Sequence, residues 1–366
     1  MIRSFVKTTV AGALSRTGMS GLIGRWSGFR NVPAIVAYHR VVEDFRSSAA
    51  TSIPSMLVSR RTFEQQLDSI GRSFRFISLD ELGARLESGK EFDRPVAAIT
   101  FDDGYRDFYY VALPVLKAKC IPATLFVVTA TIGAASLHLH DKLYLLLSRR
   151  FGSGAWKRSE LAGLLQALGI TLPDMGATNP FQATRALLEA LPQADLKRVV
   201  RALESEVSIP EEALQSFCVL TWEMLDEIRR AGVSIGSHTR THILMTNESG
   251  QRLRDEVVGS RRELERKLDI QVRHFAYPSG HFDPASVNAV AAAGYRFAYT
   301  ACTHRDRRFP LLTIPRTVFW ENSCLNARGS FSPAILNCQI NRVFDLVGGC
   351  RQAHGTDRRD LDDVAA

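Results

Sequence analysis

Val96-Ala-Ala-Ile-Thr-Phe-Asp-Asp-Gly-Tyr105 carries the reading of the fold. Six apolar or β-branched residues without polar alternation suit a strand buried on both faces, as in a parallel sheet. Asp102, Asp103 and Gly104 stop the run, and the pattern from Tyr105 to Lys119 is helical. Strand, acidic turn and helix in that order form one βα unit. Polar groups at the carboxyl end of such a strand stand where α/β folds hold ligands.

The same unit recurs on either side. Short apolar runs at 34–38, 123–128, 233–236, 272–277, 295–299 and 312–318 bring the predicted strands to seven. Helical patterns lie at 61–73, 79–88, 221–231, 252–268 and 284–293, and Gly232 and Gly294 close two of them before the next strand. Repeated alternation predicts an α/β protein with a parallel sheet, open or closed into a barrel. From about 135 to 216 the sequence is leucine-rich and helical without a clear strand, with loops at 152–154 and 171–180, which predicts a helical insertion serving as lid or flank. The organisation expected is an amino-terminal amphipathic segment at 1–30, the main domain at 31–320 and a carboxyl-terminal extension at 321–366, partly disordered and frayed at its charged end.

Composition bounds the rest. The 366 residues include 46 Lys and Arg against 38 Asp and Glu, a net charge of +8, and 45% are hydrophobic. Collagen, coiled-coil and wholly disordered classes are thereby excluded. The basic residues are scattered and accompany no nucleic-acid motif, so nucleic acid is not an expected partner. The six cysteines form no CxxC pair, which suits buried thiols in a reducing compartment. No apolar run approaches the roughly 20 residues of a membrane span. The first residues read as a short basic amphipathic helix that covers the domain or rests on a membrane surface, and cytoplasmic placement, with peripheral contact at the inner membrane face, is the expectation.

Two motifs carry chemistry. Adjacent carboxylates at 102 and 103 exceed the need of one helix cap, and held together they repel unless a cation or shared proton intervenes. Ser237-His-Thr-Arg-Thr-His242 follows another strand, and a helical turn there would place both histidines on one face. Position 239 is Thr, which disfavours the HExxH protease pattern. One Asp with His238 and His242 makes a three-ligand set for a divalent ion, with the other Asp left as general base. Zinc is the first choice, and cobalt, nickel or iron also suit the set.

Thr100-Phe-Asp-Asp-Gly104 and Ser237–His242 resemble, in order and strand context, the first two motifs of the polysaccharide deacetylase family with the NodB homology domain, carbohydrate esterase family 4. Phe275-Ala-Tyr-Pro-Ser-Gly280 resembles its third motif without the leading Arg, and Tyr38-His-Arg-Val41 is typical of one branch. The resemblance spans about residues 31–320. It implies a distorted (β/α)7 barrel, a divalent metal, an acetylated glycan as partner, and removal of N-acetyl groups from a polysaccharide, oligosaccharide or lipid-linked saccharide.

Carried over, Asp103, His238 and His242 hold the metal and Asp102 is the base. A backbone N–H near Tyr105 faces the oxyanion, and Tyr277 and Pro278 line the substrate groove. Phe275 is expected inside. Two departures stand out. Ala276 occupies the place of the Arg that orients the base, and Arg316 is the proposed substitute. The family's carboxyl-terminal Leu-x-His acid has no counterpart, leaving His39, His281 and His304, of which His39 ends the first strand and is favoured. A non-catalytic glycan-binding protein on the same fold, and an esterase or amidase for O-acetyl or small-amide substrates, are the alternatives.

Overall fold

The computed structural model describes residues 2–17, 33–134, 136–151, 158–172, 176–215 and 217–346. The expectations for 18–30, for the 152–154 loop and for the charged end at 357–363 fall outside the described residues.

Among the described residues there are eleven strands: β1 (Ala34–Tyr38), β2 (Arg40–Val42), β3 (Leu57–Ser59), β4 (Arg75–Phe76), β5 (Val96–Phe101), β6 (Ala123–Val127), β7 (Ser234–Ser237), β8 (His274–Ala276), β9 (Phe297–Thr300), β10 (Ile314–Pro315) and β11 (Thr317–Val318). β2 and β3 pair separately, and β4 adds to β5. The main path runs β10-β9-β8-β7-β6-β5-β1-β11, and each of its pairings is parallel. Its two ends belong to one segment. Ile314 and Pro315 pair with β9, Thr317 and Val318 pair with β1, and Arg316 alone separates them. The sheet therefore closes as seven staves, the last bent at Arg316, which matches the distorted (β/α)7 barrel expected from the sequence. Every residue of β1, β5, β6, β8 and β9 is buried, as the unbroken apolar runs require.

Register decides which side chains meet. Tyr38 pairs with Phe101, Phe101 with Leu125, and Val127 with Ser237. The residues after these pairs, among them His39, Asp102 and His238, therefore emerge on one rim. Close packing keeps that rim aligned: a Cβ on Gly236 would stand 2.5 Å from the Phe126 ring.

The helices follow the predicted pattern, Leu79–Ser88 at the expected bounds and others with shifted ends, for example Arg60–Gly71, Trp222–Arg230 and Gly250–Leu268. The segment predicted as one helix from 105 differs. Phe108–Ala112 is a π-helical turn, with Leu113 N–H donating to Phe108 O, and only Leu113–Ala118 is α-helical. Pro114 has no N–H to continue the α ladder, so the turn before it widens.

Between β6 and β7 lie helices Leu139–Phe151, Arg158–Ala167, Pro180–Ala190, Gln193–Glu206 and Glu211–Gln215. They bury an apolar cluster of their own, including Leu143, Leu147, Leu187, Val199 and Leu203. After Trp320, where the sequence pattern is weak, the structure contains a helix, Pro333–Ile340. The amino-terminal helix Ile2–Arg16 docks there: Ala11 is buried beside Ile335 and Cys338, and Lys7 Nζ donates to Ser323 O at 2.9 Å. Of the two roles expected of this segment, these contacts describe covering the domain. No described helix is long and apolar enough to cross a membrane. Cys120, Cys218, Cys302, Cys324 and Cys338 are free thiols.

Candidate metal centre

Asp102 and Asp103 leave β5 at its carboxyl end and diverge because the backbone turns. Asp102 N–H still donates to Tyr38 O at 2.9 Å, whereas Asp103 has φ +76° and Gly104 φ +83°. Left-handed conformation disfavours a side chain, so a strained Asp103 marks a position held by its surroundings.

Asp102 is clamped by Arg316. The guanidinium donates from Nη1 to Oδ1 and from Nη2 to Oδ2, both at 2.7 Å, and Nη1 also reaches Thr100 Oγ1 at 3.1 Å. Burial alone would raise the Asp102 pKa, but the charge of Arg316, with help from His238 and the two hydrogen bonds, holds it at about 2. Arg316 thus approaches the carboxylate from the bend of the last stave, opposite in sequence to the third motif, where Ala276 stands.

Asp103 is fully buried, and neither carboxylate oxygen has a hydrogen-bond partner among the described residues. His242 Nε2 lies 3.3 Å and His238 Nε2 3.6 Å from its Oδ1. Burial, with Asp102 and Asp141 nearby, pushes its pKa well above the usual carboxylate range. His238 directs Nδ1 to Ala276 O at 2.8 Å, so that nitrogen donates and Nε2 keeps a free lone pair toward Asp103. Burial lowers His238 to about 4 and holds His242 well below the ordinary imidazole range, so both rings are neutral. One oxygen donor and two neutral nitrogen donors with no other partner suit a divalent ion, and these three residues form a set whose ligand atoms lie within 4.8 Å of one another.

The way His242 arrives corrects the sequence reading. Residues 238–244 form a loop rather than a helical turn. Thr239 (φ +65°) and His242 (φ +57°) are left-handed, and His242 N–H donates to Thr239 Oγ1. Buried Glu256 organises this loop by accepting from Arg240 N–H at 3.0 Å, Thr241 N–H at 2.7 Å and Thr241 Oγ1 at 2.6 Å. The insertion adds Gln193, whose Nε2 donates to Thr241 O at 2.7 Å. Sequence reasoning passed over Glu256 and Gln193, since a lone Glu or Gln in a helical pattern carries no signal.

The side chains of the three expected substrate residues, Tyr105, Tyr277 and Pro278, are buried. Tyr105 is buried, its ring under the Arg40 guanidinium at 5.0 Å. Its hydroxyl donates to Asp141 Oδ2 at 2.6 Å and accepts from His140 Nε2 at 2.9 Å, so the side chain ties the insertion to the barrel. Tyr277 is fully buried against Phe275 and Phe282, and Pro278 is buried beside it. An aromatic ring flanked by two others supplies core, so neither residue lines an open groove. Phe275 is inside, as expected.

His39 follows Tyr38 on the rim, its Nδ1 buried without a partner, and burial lowers its pKa within reach of Asp102, Arg316 and His140. His281 instead is influenced by Glu189 and Arg185 of the insertion, and His304 packs on Phe282. The insertion also delivers His138, His140 and Asp141, which the sequence analysis did not single out. The His140 and His242 rings are 4.7 Å apart and those of His138 and His242 6.5 Å. Burial lowers His140 to about 4 and raises Asp141 to about 7.

Residues 89–157 and 167–298, more than half of the chain, match the polysaccharide deacetylase family model, and the chain belongs to that family. The poly-β-1,6-N-acetyl-D-glucosamine N-deacetylase of Staphylococcus epidermidis is 32% identical over 139 residues, covering 35% of this chain and 47% of that protein. The putative polysaccharide deacetylase YxkH of Bacillus subtilis is 20% identical over 247 residues, 67% of this chain and 59% of the relative. The chain thus spans about half the length of the curated relatives it matches. The Streptococcus pyogenes deacetylase PplD, solved with acetate, shares the fold, with a TM-score of 0.53 at 20% identity over 84% of this chain and 97% of that one.

Proposed function

We propose that this protein is a divalent-metal-dependent hydrolase that removes N-acetyl groups from an acetylated polysaccharide or oligosaccharide, with zinc as the preferred ion. The observation that carries the reading is the buried Asp103 carboxylate, both oxygens unpartnered, facing two imidazole Nε2 atoms. Burial makes the ionised form of Asp103 costly, and a cation held by Asp103, His238 and His242 would remove that cost. Family membership and the N-acetylglucosamine deacetylase among the relatives support the substrate class.

When bound, the metal supplies Lewis acidity toward the acetamide carbonyl and the attacking water. Asp102 accepts the water proton. Arg316 keeps it ionised and fixes its two oxygens, so one orientation faces the rim. A carboxyl group with a pKa of about 2 is a strong acid once protonated. It can therefore pass the proton to the leaving nitrogen as the C–N bond breaks, giving acetate and a free amine. This removes the need for a Leu-x-His acid, and His39, which ends β1 on the same rim within the electrostatic reach of Asp102, is assigned the task of orienting that proton.

The test is metal analysis with acetate release from N-acetylated glycans. Asp103→Ala should lose both metal and activity, and Asp102→Asn should keep metal and lose turnover. Full activity in Asp102→Asn would overturn the mechanism.

A further inference from the structure

We propose that the groove between the insertion and the barrel rim is a subsite for an anionic group, phosphate or carboxylate, carried by the saccharide beyond its acetamido sugar. The inference rests on the deacetylase reading and deepens it by naming a substrate class.

Two cavities of about 330 and 480 Å³ lie side by side, sharing Gln193, Lys197 and Arg201. The inner one approaches the metal centre without being lined by its ligands: Thr241 in its wall precedes His242 in the chain, and the ring of His138, also in its wall, lies 6.5 Å from that of His242. The outer one ends at Glu248 and Arg252.

Charge along this path is unbalanced. Lys142 is paired with Glu204, and Arg252 with buried Glu256 at 3.0 Å. Glu248 accepts the Gln193 N–H at 2.8 Å and keeps its one negative charge at the far end of the outer cavity, which two unpaired cations outweigh. Lys197 and Arg201 remain, exposed and in no ion pair among the described residues. They are four apart on the Gln193–Glu206 helix, so they share one face. Glu204, the acid one turn onward from Arg201, is already engaged by Lys142, and Asp195 is taken by Arg198. Like charges at this spacing weaken a helix, and an anion between them reverses the sign of that term. The insertion thereby contributes recognition of charge, while the barrel contributes the reacting centre.

The experiment uses the full, metal-loaded chain and three probes: N-acetylchitotetraose, its reducing-end 1-phosphate, and a hyaluronan oligosaccharide that alternates N-acetylglucosamine with glucuronate. Binding is measured by calorimetry and acetate release is followed in parallel. At least one charged probe should bind on the order of tenfold tighter than the neutral one, with the advantage shrinking in high salt. Lys197→Ser/Arg201→Ser should abolish that advantage in a protein that still unfolds cooperatively and still handles the neutral probe as the wild type does. The two charged probes distinguish phosphate from carboxylate. Equal affinity for charged and neutral probes, including no measurable binding of any, overturns the proposal, as does a charge preference that survives in the double variant. Charge-dependent binding without acetate from any probe would keep the subsite and sink the deacetylase reading instead.

Discussion

Replacing Arg316 by Met tests whether the guanidinium clamp on Asp102 is what holds the base in place. Met keeps much of the side-chain volume and removes both 2.7 Å hydrogen bonds, leaving a buried carboxylate unpaired. Breaking a buried pair from one side costs about 3–5 kcal/mol. The protonation equilibrium gives a similar figure. Asp102 moves from 3.8 to about 2 on folding, which at ~1.36 kcal/mol per unit is about 2.5 kcal/mol. Because the folded value is the lower one, this stabilisation is complete above about pH 4 and is lost as pH falls toward 2. Urea unfolding of chelator-treated protein at pH 7 should therefore show Arg316→Met less stable by about 3 kcal/mol, with the gap narrowing at pH 3. Arg316→Lys should recover only part of the loss, since an ammonium cannot donate two parallel bonds to one carboxylate. Combining Arg316→Met with Asp102→Asn should cost clearly less than the sum of the single changes, with a coupling of about 2 kcal/mol or more. A loss under about 1 kcal/mol with no measurable coupling would refute the clamp and, with it, Arg316 as the substitute for the missing third-motif Arg.

Three further outcomes follow from the geometry. Asp103→Asn should raise the melting temperature of the metal-free protein by removing an uncompensated buried carboxylate, and should abolish the rise that added zinc produces in the wild type. Glu256→Gln should loosen the loop that presents His242 and weaken metal affinity by about 10–100-fold in a chelator competition, with unchanged affinity counting against Glu256 as its anchor. Gly236→Ala should cost about 1–3 kcal/mol in urea unfolding, because its Cβ would meet the Phe126 ring at 2.5 Å.

Much of the site was legible because a parallel barrel makes strand ends functionally equivalent. Once 96–101 and 233–236 read as strands, Asp102, Asp103 and His238 had to share a rim, whatever the loops did. What local pattern could not give was the path of the loops themselves. His242 reaches Asp103 on a loop with left-handed turns at Thr239 and at His242 itself, anchored between them by the bonds of Arg240 and Thr241 to Glu256, although its i, i+4 spacing suggested a helix. Tyr277 and Pro278 follow a strand as the motif does, yet aromatic packing encloses them.

The sequence by itself determined the seven staves, the helices between them, the long helical interruption and the two motifs that end β5 and β7. These depend on periodicity and turn residues within a dozen positions, which one chain records directly. Only the tertiary structure decided that Arg316 meets Asp102 across 214 positions and that the insertion brings the His138 and His140 rings to His242 and Asp141 to Tyr105. It also decided that the final stave closes the barrel by bending at Arg316. Those pairings arise when distant segments close on one another, and no local pattern encodes which partner a buried charge will find.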